Sequence, residues 1–133
     1  MANALYGKGR ESFLKGDTDW NDGDIKFQFQ DSGVYTLDID VHDFEDDLAA
    51  PIATSANLSS KTTALGVADA ADETCSTVAG AEFEYICLYE DSGTPATSPL
   101  ICCIDTATGL PCTPNGGDII VQWDSGANKI FKL

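Results

Sequence analysis

The 133-residue sequence has few basic residues and a single histidine. Seven Lys and Arg stand against 22 Asp and Glu, so the formal net charge is -15 and the pI lies near 4.1. A chain this acidic repels phosphate backbones and anionic membrane surfaces, so we expect neither nucleic acid nor a membrane as its partner. Any Ser-His-Asp or Cys-His catalytic arrangement has only His42 to draw on.

Long hydrophobic runs and common catalytic motifs are also missing from the sequence. No segment approaches the roughly 18 to 20 apolar residues that span a bilayer. The first 14 residues lack the apolar stretch of a signal peptide, so we expect the protein to be made and kept in the cytoplasm. A G-x-S-x-G nucleophile elbow and a glycine-rich phosphate loop are absent as well. The sequence thus predicts a protein that is not an enzyme and needs no cofactor.

The five cysteines include no C-x-x-C pair, which argues against a zinc ribbon or a thioredoxin-like site. One interpretation is that they are small buried hydrophobic residues in a reducing compartment. The alternative is that some are exposed and form cross-links. Adjacent residues on a strand point to opposite faces, so of Cys102 and Cys103 we expect one toward the core and one outward. The candidate cross-linking residues are Cys75, Cys87, Cys102, Cys103 and Cys112.

Alternating apolar and polar residues predict short β-strands. Residues 25–30 form a half-buried strand in this prediction, with Lys26, Gln28 and Gln30 toward solvent, and residues 35–41 form a second one. Residues 81–90 carry bulky side chains on both faces, as a central strand does. Weaker or shorter strands are predicted at 61–67, 100–104, 119–123 and 130–133.

Two segments have helical character. Residues 43–50 suit a short helix capped by Asp43, and residues 4–15 allow one or two helical turns, weakened by Gly7 and Gly9. At least six short strands separated by turns predict an all-β fold, mainly an antiparallel β-sandwich or barrel, with one or two short helices. Residues 1–133 are expected to form one domain, in which residues 1–20 are an N-terminal arm or hook.

Two acidic segments were considered as sites, and neither predicts a metal centre. Residues 17–24 resemble a calcium loop, but the glycine position falls on Asp22 and the final glutamate position on Gln28. Residues 38–47 surround His42 with carboxylates; the favoured interpretation is a charged exposed surface, and a hydrolase centred on His42 is a minor alternative. A sugar-binding platform is a further alternative, built from Trp20, Tyr35, Tyr89 and Trp123.

Three stretches together resemble a family of small structural proteins of tailed-bacteriophage virions. They are residues 1–11 (MANALYGKGRE), residues 97–105 (TSPLI leading to ID), and the C-terminal stretch with 109–111 (GLP), 114–121 (PNGGDIIV) and 130–133 (IFKL). The resemblance covers nearly the whole chain. The cysteines depart from the family pattern, in which strands such as 100–104 hold ordinary apolar or aromatic residues.

The resemblance implies a virion protein assembled in the host cytoplasm. It favours a capsid decoration or cement protein that binds the major capsid protein and itself, as a trimer, and stabilises the head, with disulfide cross-links as a possible means. The alternative is a tail, collar or fibre component that binds a host receptor or carbohydrate. Candidate interface residues are Leu5, Tyr6, Phe13, Ile130 and Phe131.

Overall fold

A computed structural model describes residues 3–133 and shows an all-β fold, as predicted. All strand pairs are antiparallel. Ten strands and one α-helix are described: β1 (Ala4–Leu5), α1 (Gly7–Lys15), β2 (Ile25–Gln30), β3 (Ala53–Thr54), β4 (Thr62–Ala64), β5 (Val67–Asp69), β6 (Glu73–Cys75), β7 (Tyr85–Glu90), β8 (Leu100–Ile104), β9 (Ile119–Val121) and β10 (Phe131–Lys132). Glu45–Asp47 and Pro95–Thr97 form single turns of 3-10 helix.

The strands form one larger sheet and two small ones. The larger sheet has the order β1-β8-β7-β2-β3, so β7 is central, as its two apolar faces predicted. The small sheets, β10-β5-β4 and β6-β9, contribute Ala68, Cys75, Val121 and Phe131 to the core on one face of the larger sheet. The arrangement is a sandwich, because the small sheets pack on one face of the larger sheet. It is not a barrel, because the larger sheet keeps two separate edges, β1 and β3.

The main core lies between these layers. Phe27 and Phe29 of β2 are fully buried, and the Phe29 ring stacks on Phe83 with centroids 4.1 Å apart. Trp20 meets Phe131 edge to ring at 5.2 Å. Phe27 of β2 also meets Trp123, which follows β9, edge to ring at 5.9 Å, and this contact links the larger sheet to the layer above it.

The second face of the larger sheet is covered as well, contrary to the prediction for β2. Gln28 and Gln30 were predicted to face solvent, but both are buried beneath the segment that follows β2. Gln30 Nε2 donates to Gln28 Oε1 and to the Ala49 carbonyl, each at 2.9 Å. A strand's alternating pattern shows which face is polar, whereas a covering loop decides whether that face meets water.

Residues 35–41 do not form the predicted strand. Asp31 and Asp38 act as turn residues: Asp31 Oδ1 accepts from the Gly33 N–H at 2.8 Å, and Asp38 Oδ1 accepts from the Val41 N–H at 3.2 Å. Side-chain oxygens thereby capture backbone donors, and the chain turns instead of entering a ladder. Tyr35 is still buried, in a smaller core on the second face of the sheet.

The predicted helix at 43–50 is reduced to the 3-10 turn Glu45–Asp47, and residues 61–67 hold parts of two strands, not one. The N-terminal helix is longer than expected, at nine residues. Within residues 3–133, no helix is long and apolar enough to cross a membrane.

Residues 3–20, predicted as an arm or hook, are built into the sandwich; residues 1 and 2 lie outside the described part. Asn3 Oδ1 accepts from the N–H groups of Asp105 and Thr106 at 2.9 and 2.8 Å. Ala4 and Leu5 pair with β8, and the Tyr6 N–H donates to the Ile101 carbonyl at 3.0 Å.

Candidate functional site

The β4–β5 hairpin ends in an exposed leucine held in an unfavourable backbone conformation. Ala64 pairs with Val67, so Leu65 and Gly66 form a two-residue turn. Both have positive φ, 53° and 79°, which corresponds to a type I′ turn. Asn, Asp or Gly normally fills the first position of such a turn, because the Cβ atom of other residues approaches a carbonyl oxygen there at a cost of about 1 to 2 kcal/mol. The Leu65 side chain is 97% exposed, so it gains no packing within its own chain.

An apolar groove lies beside this hairpin. Its volume is about 340 Å³, and Gly66 of the hairpin forms part of its wall. Phe13 of α1 and Phe131 of β10 both line it and contact each other, with ring centroids 5.7 Å apart. The apolar wall is formed by Phe13, Trp20, Ala68, Phe131 and Leu133. An apolar groove next to an exposed apolar side chain is the usual composition of a protein contact surface.

The charged residue in the lining of the groove is a carboxylate, Asp19. Lys15, which ends α1 nearby, lines a different cavity and pairs with Glu11 Oε1 at 3.1 Å. The groove would therefore attract a second copy through its apolar wall and not through positive charge.

The predicted interface residues lie in different environments. Tyr6 and Phe131 are buried in the core, and Leu5, Phe13 and Ile130 are partly buried against it. Of these five, Phe13 and Phe131 line the groove. The sequence pattern identified their apolar character but did not separate core from groove.

Four of the five cysteines are buried and Cys112 is partly exposed; all five are free thiols. Cys102 and Cys103 do point to opposite faces, as predicted, since Cys102 lies in the main core and Cys103 in the smaller one. The expectation that one would point outward is wrong, because both faces of the sheet are covered. Burial leaves Cys112 as the thiol best placed for a cross-link between chains.

His42 belongs to a hydrogen-bonded chain and not to a metal cluster. Its Nδ1 lies 2.8 Å from the Tyr35 hydroxyl, which in turn lies 3.0 Å from the Tyr6 hydroxyl. Burial raises the pKa of both tyrosines well above the ordinary value. In residues 3–133, no three His, Cys, Asp or Glu side chains are grouped so that they could hold a metal ion.

Nearby, Asp47 Oδ2 accepts the Asp43 N–H at 2.8 Å. Burial would raise the pKa of Asp47, but the backbone donors of Asp43 and Phe44 lower it overall. This carboxylate therefore has a structural role: it caps the start of the 3-10 turn Glu45–Asp47, to which it belongs.

The acidic turn at residues 17–24 is organised by its own backbone. Asp19 Oδ1 accepts the N–H groups of Asn21 and Asp22 at 3.0 and 3.1 Å, and the Asp19 N–H donates to Glu90 Oε2 at 2.6 Å. Lys61 Nζ donates to the Gly23 carbonyl. The turn thus anchors the start of β2 to the end of β7.

Glu90 and two other carboxyls bind protons more tightly in the folded chain. Burial raises the pKa of Glu90, with the charges of Asp19 and Asp24 adding to the effect. Burial also raises the pKa of Asp43 and Glu45. A raised folded-state pKa means that stability is gained as pH falls through that pKa.

We therefore expect the melting temperature to rise as pH is lowered from about 7 to about 5, and to fall again in stronger acid. The fall comes from Asp47 and Asp91, whose lowered pKa values make their stabilising contribution disappear as pH drops through them. Melting curves across this pH range test the direction in which the melting temperature changes. Glu90→Gln should raise the melting temperature at neutral pH and flatten the profile, whereas the exposed control Glu82→Gln should not. A profile that falls steadily from pH 7 would contradict the assignment.

The aromatic residues considered as a sugar platform do not form one. Trp20, Tyr35 and Tyr89 are buried, and Trp123 is half-buried with its Nε1 donating to the Ala71 carbonyl at 3.1 Å. Burial raises the pKa of Tyr89 to about 12. The two tryptophans pack in the main core and the two tyrosines in the smaller core on the other face of the sheet, so they offer no continuous face to a sugar.

Sequence reasoning missed Leu65, because residues 61–67 were predicted as one strand. The available signal was a Leu-Gly pair between two short runs of strand-forming residues, a position where Asn-Gly would have marked a hairpin at once. A scan of protein-family models and a search of curated proteins found no match to this chain.

Proposed function

We propose that this chain is a non-enzymatic structural protein of a tailed-bacteriophage virion, a decoration or cement protein that forms homo-oligomers on the major capsid protein of the head. The observation that carries the self-association is Leu65. The positive φ of Leu65 destabilises the isolated chain, and the exposed side chain recovers nothing by packing, so we infer that its benefit comes from a contact outside the chain.

The occupant of the groove in this proposal is Leu65 of a second copy. The hairpin tip and the groove share Gly66, so one patch carries both the inserted side chain and the cavity that receives it. A patch that carries both features is self-complementary, and in a two-fold contact each copy would insert its own leucine and receive its partner's. The phage-protein resemblance favours three copies, and the association measurement below counts them. The acidic remainder of the surface keeps the assembly soluble and away from packaged DNA.

Leu65→Asn tests the self-association directly. Asn tolerates positive φ, so the variant should fold with equal or greater stability, by up to about 1 kcal/mol. The loss of a buried leucine from each contact should weaken association at least about tenfold. Sedimentation equilibrium of both proteins measures the change. Association of the wild type should also strengthen with added salt, because salt screens the repulsion between acidic copies.

The matched control is Leu14→Gln. Leu14 is 88% exposed, but it does not line the groove. The Leu14→Gln substitution should therefore leave the self-association of the chain unchanged. A wild-type chain that stays monomeric at high concentration and high salt, or a Leu65→Asn variant that associates as well as the wild type, would refute the groove contact.

Attachment to the head is a separate question with its own measurement. Purified protein should bind phage heads in many copies and stay on heads that lack tails, whereas a tail, collar or fibre component would be present in few copies and be lost with the tail. The tail alternative depended on exposed aromatics, and three of its four residues are buried. The minor hydrolase alternative predicts that substitution of His42 abolishes an activity.

A further inference from the structure

Cys87 and Cys103 face each other across the two central strands of the larger sheet. They are directly opposed in the pairing of β7 with β8. Their sulfur atoms lie 3.7 Å apart, and both side chains are fully buried. Tyr6 covers the pair, and its hydroxyl lies 3.7 Å from Cys87 Sγ.

We propose that Cys87 and Cys103 are a disulfide-forming pair within one chain, oxidised by a low-molecular-weight disulfide. Directly opposed residues of antiparallel strands have Cα atoms about 4.5 to 5.5 Å apart, which lies within the range that disulfides span. The sulfur atoms need to approach from 3.7 Å to about 2.05 Å. Side-chain rotation supplies an approach of this size without separating the strands.

The other thiols are placed less well for this reaction. Cys102 points to the opposite face of the sheet from Cys103, into the main core. Cys75 and Cys112 also belong to the main-core side. The inference concerns linkage inside a chain, so it does not depend on the proposed self-association or on the virion.

Access to the pair requires a local opening. The thiols lie beneath Tyr35, Leu37 and Leu48, which come from a segment without any strand. The hydrogen bond between the Cys87 and Cys103 thiols, together with burial, raises the pKa of Cys103, so the closed protein holds little thiolate and reacts slowly. Segments with few ladder hydrogen bonds open more readily than the sheet itself, and such an opening admits a small oxidant.

The reaction is a thiol–disulfide exchange in two steps. In the opened state, the thiolate of one cysteine attacks a sulfur of the oxidant RSSR; a mixed disulfide forms, the oxidant's S–S bond breaks, and RS⁻ leaves. The thiolate of the second cysteine then attacks the protein sulfur of the mixed disulfide, forms the Cys87–Cys103 bond and releases the second RS⁻. Two cysteine sulfurs are oxidised, two oxidant sulfurs are reduced, and the two thiol protons are taken up by the released thiolates.

The test uses the full chain, reduced and then incubated with oxidised glutathione. Thiols are counted in denaturant by alkylation and intact mass. We expect two of the five thiols to become unreactive toward the alkylating reagent, and the intact mass to show no attached glutathione. The product should be monomeric on a non-reducing gel. Cleavage after Glu90 separates Cys87 from Cys103 in sequence, so non-reducing peptide mapping should recover the two peptides joined.

Variants assign the partner, because Cys102, Cys103 and Cys112 share a peptide. Cys102→Ala and Cys112→Ala should each still lose two thiols, whereas Cys87→Ala and Cys103→Ala should lose none. If the last two variants do not fold, the wild-type map and the thiol counts of Cys102→Ala and Cys112→Ala identify the partner. Five reactive thiols after oxidation, or a mapped linkage that joins Cys87 or Cys103 to Cys75, Cys102 or Cys112, would overturn the proposal. Repeating the thiol count on Leu65→Asn shows whether the disulfide within the chain forms independently of the groove contact between chains.

Discussion

Replacing Gly9 with Ala should lower the free energy of unfolding by about 2 to 3 kcal/mol, although Ala is the better helix former. Gly9 lies in α1 where the helix crosses β8. A Cβ atom at this position would come within 2.7 Å of the carbonyl oxygens of Leu100 and Ile101, and both are backbone atoms that cannot rotate away. Helix propensity alone predicts the opposite sign, a gain of up to about 1 kcal/mol.

Gly7→Ala is the matched control, since it lies in the same helix. A Cβ there would meet its nearest neighbours in Asp40 and Ile39 at 3.7 Å or more, which is ordinary van der Waals contact. Urea unfolding of both variants should show a lower midpoint for Gly9→Ala, with an unchanged slope, and little change for Gly7→Ala. Equal midpoints for Gly9→Ala and the wild type would mean that α1 does not pack tightly on β8.

Tyr6→Ala should destabilise the fold by about 3 to 5 kcal/mol, the range found when a buried aromatic ring is removed. Tyr6 is fully buried in the smaller core, and its hydroxyl contacts Tyr35 and Cys87. The substitution therefore leaves a cavity and removes a hydrogen-bond partner. A domain of this size has a total stability of roughly 5 to 15 kcal/mol, so the loss is a large share of it.

Tyr6→Phe separates the hydroxyl from the ring. Tyr35 keeps its contact with His42 Nδ1 in this variant, so we expect a loss of only about 1 kcal/mol. Chemical unfolding monitored by Trp fluorescence compares the two variants. If Tyr6→Ala unfolds at the wild-type midpoint, then the N-terminal segment behaves as a detachable arm, as the sequence suggested.

The strands were predicted best where alternation and burial coincide. Residues 25–30 and 100–104 match β2 and β8, and the central position of β7 followed from bulk on both of its faces. Residues 35–41 have the same alternation but form turns, because Asp31 and Asp38 accept backbone hydrogen bonds that a ladder would need. A pattern of apolar residues indicates burial, but it does not say which donor pairs with which acceptor.

The candidate site was only partly predictable. Phe13 and Phe131 were identified as apolar residues near the chain ends, yet their meeting across a groove depends on α1 and β10 coming together in space. Leu65 falls within the strand that the sequence predicts at residues 61–67. Its exposure and positive φ are properties of a turn, and the turn exists only because β4 pairs with β5.

The sequence by itself determined the fold class, the acidic surface and the opposite orientation of Cys102 and Cys103, because composition and the two-residue period of a strand are local properties. Tertiary structure alone decided which faces are covered, which glycine must lack a side chain, and that Cys87 lies opposite Cys103. These depend on the register between strands far apart in the chain and on the loops that close over them. Local patterns carry no information about either, because register and coverage are set by the packing of the whole chain.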